Sequence, residues 1–398
     1  MGKDALEARQ STKPHLLHRG RSQGRPKGRS VLRTAQVKKE IHQHRTVHRN
    51  TKRCLGSSGL RIAQPLSEML FETSSKTGVP TRCGIVLAAG EGSRLRSFVE
   101  NLRGYALPKQ YVNFIGKRSM LEHTFYRAQK MIPAERLFTV VSQSHLQHPE
   151  VARQLSSLPM ACIVEQPDNR DTGPGLLLPL AHLYKCYPDS TVVVFPSDHF
   201  ILEEDLFMVY VDQAFRVVEQ DPAKVVLLGI NPSEAEPEYG YIVPGKKLYG
   251  PSVPGTHEVS LFIEKPERDV ARDLVSCGGL WNTLVMVFKA KTFLNAVSKI
   301  APVLYGSFER IWRAVGTPSL GDLVKEVYQQ MYPVNLSKGL LELLPLERPP
   351  ALCVLPVRGI YWSDWGSEQR IIHVLESAGY AGRLNRVREK ASLWREKR

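Results

Sequence analysis

The chain has 398 residues, a formal charge of +15 and six cysteines, enough for one large core or one domain with appendages. Cys54, Cys83, Cys162, Cys186, Cys277 and Cys353 include no Cys-x-x-Cys pair, which argues against a zinc site or a disulfide framework and fits reduced thiols in a cytoplasm. No run of about 18 apolar residues occurs, so no membrane-spanning helix is expected.

The charge is uneven. Residues 1–53 hold 15 Lys and Arg against three acids, so +12 of the +15 lies before residue 54. This stretch has five of the 12 histidines and no apolar period, and it cannot bury enough surface to offset its ordering entropy. We expect residues 1–81 to be a basic, disordered arm and linker, 82–380 a folded domain, and 381–398 a basic tail. The arm could meet nucleic acid or an anionic membrane, but it lacks aromatics for base stacking and an amphipathic stripe for lipid. Its Gly and Pro breaks argue against a transit helix. The plainer reading is a solvated tail, or an extension upstream of an alternative start at Met69.

Along the domain, apolar runs predict strands at Cys83–Ala88, Phe138–Val141, Ala161–Glu165, Thr191–Phe195 and Val225–Ile230. Helical patterns fall between them at Met120–Met131, Glu150–Ser156, Gly175–Cys186 and Asp205–Glu219. This alternation predicts an α/β fold with a doubly wound, mostly parallel Rossmann-like sheet. Ligands in such folds sit beyond the carboxyl ends of the strands. After residue 230 the pattern changes: Gly240–Val243, Val259–Ile263 and Leu284–Phe288 read as an added antiparallel portion. Helices over 291–299, 302–314 and 318–330 follow, then a strand at Ala351–Pro356 leading to Tyr361–Asp364.

The first strand runs into Gly90-Glu-Gly92-Ser93-Arg94, with Pro108-Lys109-Gln110 after it. Glycines there let backbone N–H groups approach a phosphate, and Arg94 and Lys109 add two cations. The loop has neither the third glycine of a dinucleotide fingerprint nor the Lys-Ser/Thr of a Walker A motif. Arg94, planar and bidentate, suits phosphate oxygens; Lys109 is a point charge for the same group. Asp198 ends the run Val192–Phe195, where a carboxylate can hold Mg²⁺ or equally cap a following helix. His199 reads as its structural neighbour.

Leu87-Ala-Ala-Gly-Glu-Gly-Ser-Arg-Leu95 with Pro108-Lys-Gln-Tyr111 resembles the signature of the sugar-phosphate nucleotidyltransferases. Further blocks follow in the same order: Glu165–Thr172, Phe195–His199, Glu238–Ile242, Phe262–Pro266, Trp281-Asn282 and Trp362–Ser367. Together they most resemble the mannose-1-phosphate guanylyltransferases, over roughly residues 82 to 380. That resemblance implies a nucleotide-diphospho-sugar transferase fold, a GTP substrate, a sugar 1-phosphate acceptor (mannose 1-phosphate), and Mg²⁺ as cofactor. It places the nucleotide over Leu87, Ala88, Ala89, Gly90, Gly92 and Ser93, with Glu165, Arg170 and Thr172 near the base. Glu165 would accept from guanine donors. Arg94, Lys109 and Asp198 would be catalytic, Asp198 and Asp364 the metal ligands. Tyr239, Gly240, Glu264, Lys265 and Asn282 would meet the sugar phosphate, although each could be a turn or edge-strand residue. Homo-oligomers are compatible with all of this.

The chain also departs from the pattern. Asp171 replaces an Asn, the loop from Arg94 to Pro108 is several residues longer, Thr283-Leu284-Val285 stands where Ser-Gly-Met is usual, and Ser337 stands where an Asp is usual. With about 30 residues after Gly366, neither a β-helix nor a cupin domain is expected within this sequence. The alternatives are the same chemistry on another triphosphate and sugar phosphate, or a non-catalytic nucleotide-sugar sensor with an anion-binding arm.

Overall fold

A computed structural model describes residues 81–250, 255–347 and 351–377, all within the second of two units, Leu70–Arg398. The expectations for residues 1–80 and for the 381–398 tail lie outside these residues. The strands are β1 (Arg82–Ala88), β2 (Leu137–Ser142), β3 (Ile163–Gln166), β4 (Thr191–Pro196), β5 (Phe200–Ile201), β6 (Val225–Ile230), β7 (Gly240–Lys247), β8 (His257–Glu264), β9 (Leu280–Lys289), β10 (Leu352–Val357) and β11 (Trp362–Ser363). Nine of them form one sheet in the order β3-β2-β1-β4-β9-β6-β10-β8-β7. β1 pairs in parallel with β2 and β4, and β6 with β10. β9 runs antiparallel between β4 and β6, and β8 antiparallel to both β10 and β7. Only β8 and β9 therefore oppose the common direction, as a mostly parallel sheet with an antiparallel addition requires. β7 also returns to the start of β9, pairing Tyr241 with Trp281.

Alternating residues of each strand feed two apolar layers, because side chains switch face at every step. Val193 and Phe195 of β4 join one layer, Val192 and Val194 the other. The helices are α1 (Arg96–Arg103), α2 (Met120–Ala128), α3 (Pro149–Leu155), α4 (Thr172–Cys186), α5 (Glu204–Gln220), α6 (Arg268–Ser276), α7 (Ala290–Ile300), α8 (Pro302–Ala314), α9 (Leu320–Gln330) and α10 (Glu368–Ser377). Those on one face contribute Leu121, Val151, Phe215, Leu274 and Ile371, and those on the other Leu180, Phe293, Phe308 and Val327. Every residue of β2, β4 and β6 is buried, which is why these strands read as continuous apolar runs rather than as alternations.

α6, α10 and β5 were not expected from the sequence, and three further differences have a visible cause. The long loop after Arg94 contains α1, ended by Gly104 at φ 85° and tied down by Arg103, which pairs with Glu150 at 2.7 Å. α4 begins at Thr172 rather than Gly175, because Asp171 accepts from the Thr172 N–H at 2.6 Å and caps it. β9 begins four residues before the expected Leu284. Its first half pairs with β7 and its second half with β4, and the irregular middle hides the alternation that would have joined them.

Candidate active site

The glycine loop, the end of β4 and the loop after β11 meet at one side chain. Lys109 Nζ donates to the carbonyl oxygens of Asp364 at 2.8 Å and Trp365 at 3.2 Å, and it pairs with Asp198 Oδ2 at 3.0 Å. Those three partners match the three N–H bonds of an ammonium. Lys109 thus locks the two carboxylate-bearing loops together while its charge stays beside both. Gly92 lets the two segments of the loop pack closely: its φ is +60°, and a Cβ there would lie 3.2 Å from the Lys109 backbone nitrogen. The Gln110 amide completes the loop by donating to Ala88 O at 2.9 Å and Gly90 O at 2.8 Å.

Asp198 caps no helix, since α5 starts only at Glu204. Burial opposes its charge, but Lys109 and then His199 outweigh that and hold the carboxyl below its usual range. Asp364 behaves alike: burial works against it, and Lys109 and Arg370 prevail. Its Oδ1 accepts from Tyr239 Oη at 2.9 Å, the Gly366 N–H at 2.9 Å and Arg370 Nη1 at 2.8 Å. Arg370 also pairs with Glu236 at 2.8 Å and lies 4.5 Å over the Tyr239 ring. Burial pushes His199 down to about 4, so it is neutral at physiological pH. Its Nδ1 takes the Trp362 indole N–H at 3.3 Å, which fixes the ring in place.

A cleft of about 520 Å³ opens beyond the strand ends, lined by Leu87, Ala89, Gly90, Arg94, Lys109, Gln166, Asp171, Thr172, Asp198, Leu284 and Asp364 among others. A smaller recess of about 200 Å³ shares Gly90, Arg94, Lys109 and Asp198 with it and adds Gly92, Ser93 and Gly366. Both metal candidates, both loop cations and most of the expected nucleotide residues therefore share one concavity. Arg94 pairs with Glu238 at 2.7 Å, each side chain more than half exposed. An exposed pair of this kind is weak.

A family model of nucleotidyl transferases matches residues 83–378. The chain belongs to the nucleotidyl transferase family. It is 30% identical over 298 residues to mannose-1-phosphate guanylyltransferase 2 of Escherichia coli O157:H7, covering 72% of this chain and 58% of the relative. It is 28% identical over 297 residues to the xanthan biosynthesis protein XanB of Xanthomonas campestris pv. campestris strain B100, covering 74% of this chain and 60% of the relative. The chain thus spans about three-fifths of the length of these relatives. In three dimensions it is similar to the crystal structure of mannose-1-phosphate geranyltransferase from Thermus thermophilus. There the TM-score is 0.62 at 22% identity, with 74% of this chain and 79% of the other covered.

Against that family frame, several residues expected at the nucleotide do not line the cleft. Glu165 is exposed on β3. Its neighbour Gln166 is 1% exposed, lines the cleft, and carries a buried Oε1 without a hydrogen-bond partner. Its Nε2 donates to Asp168 O at 2.8 Å. Strand alternation explains the exchange: Gln166 shares a face with buried Val164, and Glu165 points the other way. Ala88 is buried, its carbonyl taken by Gln110 and Tyr111, and Arg170 pairs with Asp168 at 3.0 Å.

The expected sugar residues form a second cluster outside the cleft lining. A Cβ on Gly240 would lie 2.5 Å from Glu264 Oε2 and 3.4 Å from Asn282 Cβ, so only glycine leaves this approach open. Burial pushes the Glu264 carboxyl up against the pull of Lys265. Lys265 is exposed at φ 50°, and its N–H donates to Tyr239 O at 3.2 Å. Asn282 Oδ1 accepts from the Leu284 N–H at 3.0 Å, leaving the amide donors for a ligand. Tyr239 joins this cluster to the cleft through Asp364. Gln110, Gln166, Arg370 and Trp365 were not among the expected site residues. For Gln166 the signal was present in the strand register; for Arg370 there was none, since it acts through Asp364.

Proposed function

We propose that the chain transfers a guanylyl group from GTP to mannose 1-phosphate, forming GDP-mannose and pyrophosphate, with Mg²⁺ as cofactor. The observation that carries this reading is the pair of charged carboxylates, Asp198 and Asp364, held on one cleft by Lys109 beside a glycine loop. In the reaction a phosphate oxygen of the acceptor bonds to the α-phosphorus, and the bond from that phosphorus to the β-phosphate oxygen breaks. Catalysis of this kind is positioning plus electrostatic stabilisation. Two carboxylates, with no cluster of three or more His, Cys, Asp or Glu side chains among the described residues, suit Mg²⁺, which completes its octahedron with water and phosphates. Asp198 and Asp364 would hold the ion, and the ion would neutralise phosphate charge.

The chain's own residues do the rest. The Gly90–Ser93 backbone receives the triphosphate. Arg94, leaving its exposed partner Glu238, covers phosphate oxygens whose charge grows. Lys109 keeps both carboxylates in place and lends its charge from a buried position. Gln166, on the wall of the cleft, reads the base by turning its now buried amide oxygen toward it to accept from guanine N1–H, a donor that adenine lacks. Gly240, Glu264 and Asn282 receive sugar hydroxyls. Guanine and mannose are supported by the 30% identity to a mannose-1-phosphate guanylyltransferase, and the non-catalytic sensor alternative is disfavoured by the retained carboxylate pair. A panel of GTP, ATP, UTP and CTP against several hexose 1-phosphates, scored by pyrophosphate release, tests the reading. GTP with mannose 1-phosphate is expected to exceed other pairs at least about tenfold. Preference for a pyrimidine triphosphate overturns the guanylyl assignment, and no release from any pair overturns transfer itself.

A further inference from the structure

Four non-glycine residues among those described have φ in the left-handed region: Asp171, Lys265, Leu284 and Trp365. Leu284, at φ 56°, is the one in the middle of a strand, and its side chain is a branched hydrocarbon. Such a conformation persists only where its surroundings impose it, and it tends to mark a working site. Here the restraint is visible. The Leu284 N–H donates to Asn282 Oδ1 at 3.0 Å, buried Thr283 Oγ1 donates to Leu228 O at 2.7 Å, and the Val285 N–H donates to Thr283 Oγ1 at 3.2 Å. At this point β9 exchanges β7 for β4 as its neighbour.

The distortion sets Leu284 on the wall of the cleft. Leu284 lines the same cleft as Pro196 and Asp198 at the end of β4. In the other direction Asn282 reaches Gly240. Leu284 therefore stands between the carboxylate-bearing strand end and the cluster suited to sugar hydroxyls. Its side chain offers no hydrogen bond. What it offers is bulk, four carbons, comparable to an acetamido group.

We infer that Leu284 sets the size of the acceptor, admitting a plain hexose 1-phosphate and excluding one with a bulky acylamino substituent on the ring. The inference rests on the proposed transfer to a sugar phosphate. A filled apolar wall rejects added volume far better than it rejects a changed hydroxyl. Leu284→Gly is the decisive variant, because glycine takes this φ without strain; Leu284→Ala shortens the side chain by a smaller step. For each, kcat/KM is measured with mannose 1-phosphate and with an N-acetylhexosamine 1-phosphate, along with KM for the triphosphate. L284G is expected to raise the N-acetylhexosamine to mannose ratio at least tenfold, L284A to raise it less, and both to leave the triphosphate KM within twofold. An unchanged ratio in an active L284A or L284G overturns the inference alone. So does a triphosphate KM that moves as far as the acceptor's. A wild-type protein that releases pyrophosphate with no pair overturns the transfer reading and this inference together.

Discussion

At the scale of residues, Lys109 divides what the sequence reveals from what it hides. Its place after a glycine loop marks it as a phosphate-site cation, yet all three of its contacts are to the chain's own oxygens. Sequence shows that a cation is present; only the fold shows that it braces Asp198 against the Asp364 loop. Gln166 teaches a similar lesson. A carboxylate at Glu165 is the more obvious base reader, but one step along a strand moves a side chain to the opposite face. The carboxylates lend themselves to a direct test. Asp198→Asn and Asp364→Asn are each expected to lower kcat by about 10²-fold or more, since on the proposed reading either carboxylate would hold the Mg²⁺ that offsets phosphate charge. Thermal melts should show both variants folded, D198N losing the charge that pairs with Lys109 and D364N its pairing with Arg370. Near-normal turnover of either variant would remove that carboxylate from the site.

At the scale of elements, β1 is anchored to α5 by one guanidinium. Arg82 bonds Glu219 through Nε and Nη2 at 2.7 and 2.8 Å, and Asp212 through Nη1 at 2.7 Å. All three side chains are less than a third exposed, so Arg82→Met is expected to cost about 1–3 kcal/mol in urea unfolding at pH 7. Burial opposes the charge of Asp212, but Arg82 and Arg216 override it and hold its pKa down. A carboxyl depressed in the folded state contributes stability above its unfolded value of about 3.9, and that contribution fades as pH falls through the folded value. The deficit of R82M should therefore shrink below about pH 4; a deficit equally large at pH 3 would trace the loss to packing under the Phe215 ring. The alternating strands and helices up to β6 were legible because each strand is buried on both faces and reads as an unbroken apolar run. α1 was not, because its eight residues bury only Val99 and owe their place to the Arg103–Glu150 pair, a contact between distant parts of the sequence. The bulge at Leu284 was not legible either, since it depends on Thr283 reaching Leu228.

At the scale of the whole molecule, the family match begins at residue 83, and the basic stretch holding most of the net charge precedes it. Deleting residues 1–68 is expected to leave kcat and both KM values within about twofold, because every residue assigned to the cleft comes later. A large loss from a folded truncation would assign the arm a part in catalysis. Salt-dependent retention on heparin by the full chain alone would instead mark it as a polyanion binder. The overall architecture was readable from alternation, whereas the return of β7 to β9 was not, since nothing in either segment encodes its partner. Among the contacts that make the site, the bond from Lys109 to Asp364 spans 255 residues of sequence. At synthesis rates of about 5–20 residues per second, the lysine emerges roughly 10–50 s before the loop it holds. For about the second half of that interval β6 lacks β10, its partner on one side, and an apolar strand edge stands open to other chains. The same closure that completes the cleft thus ends the period in which a newborn copy is most exposed to aggregation, so chaperone demand and first turnover should share one clock.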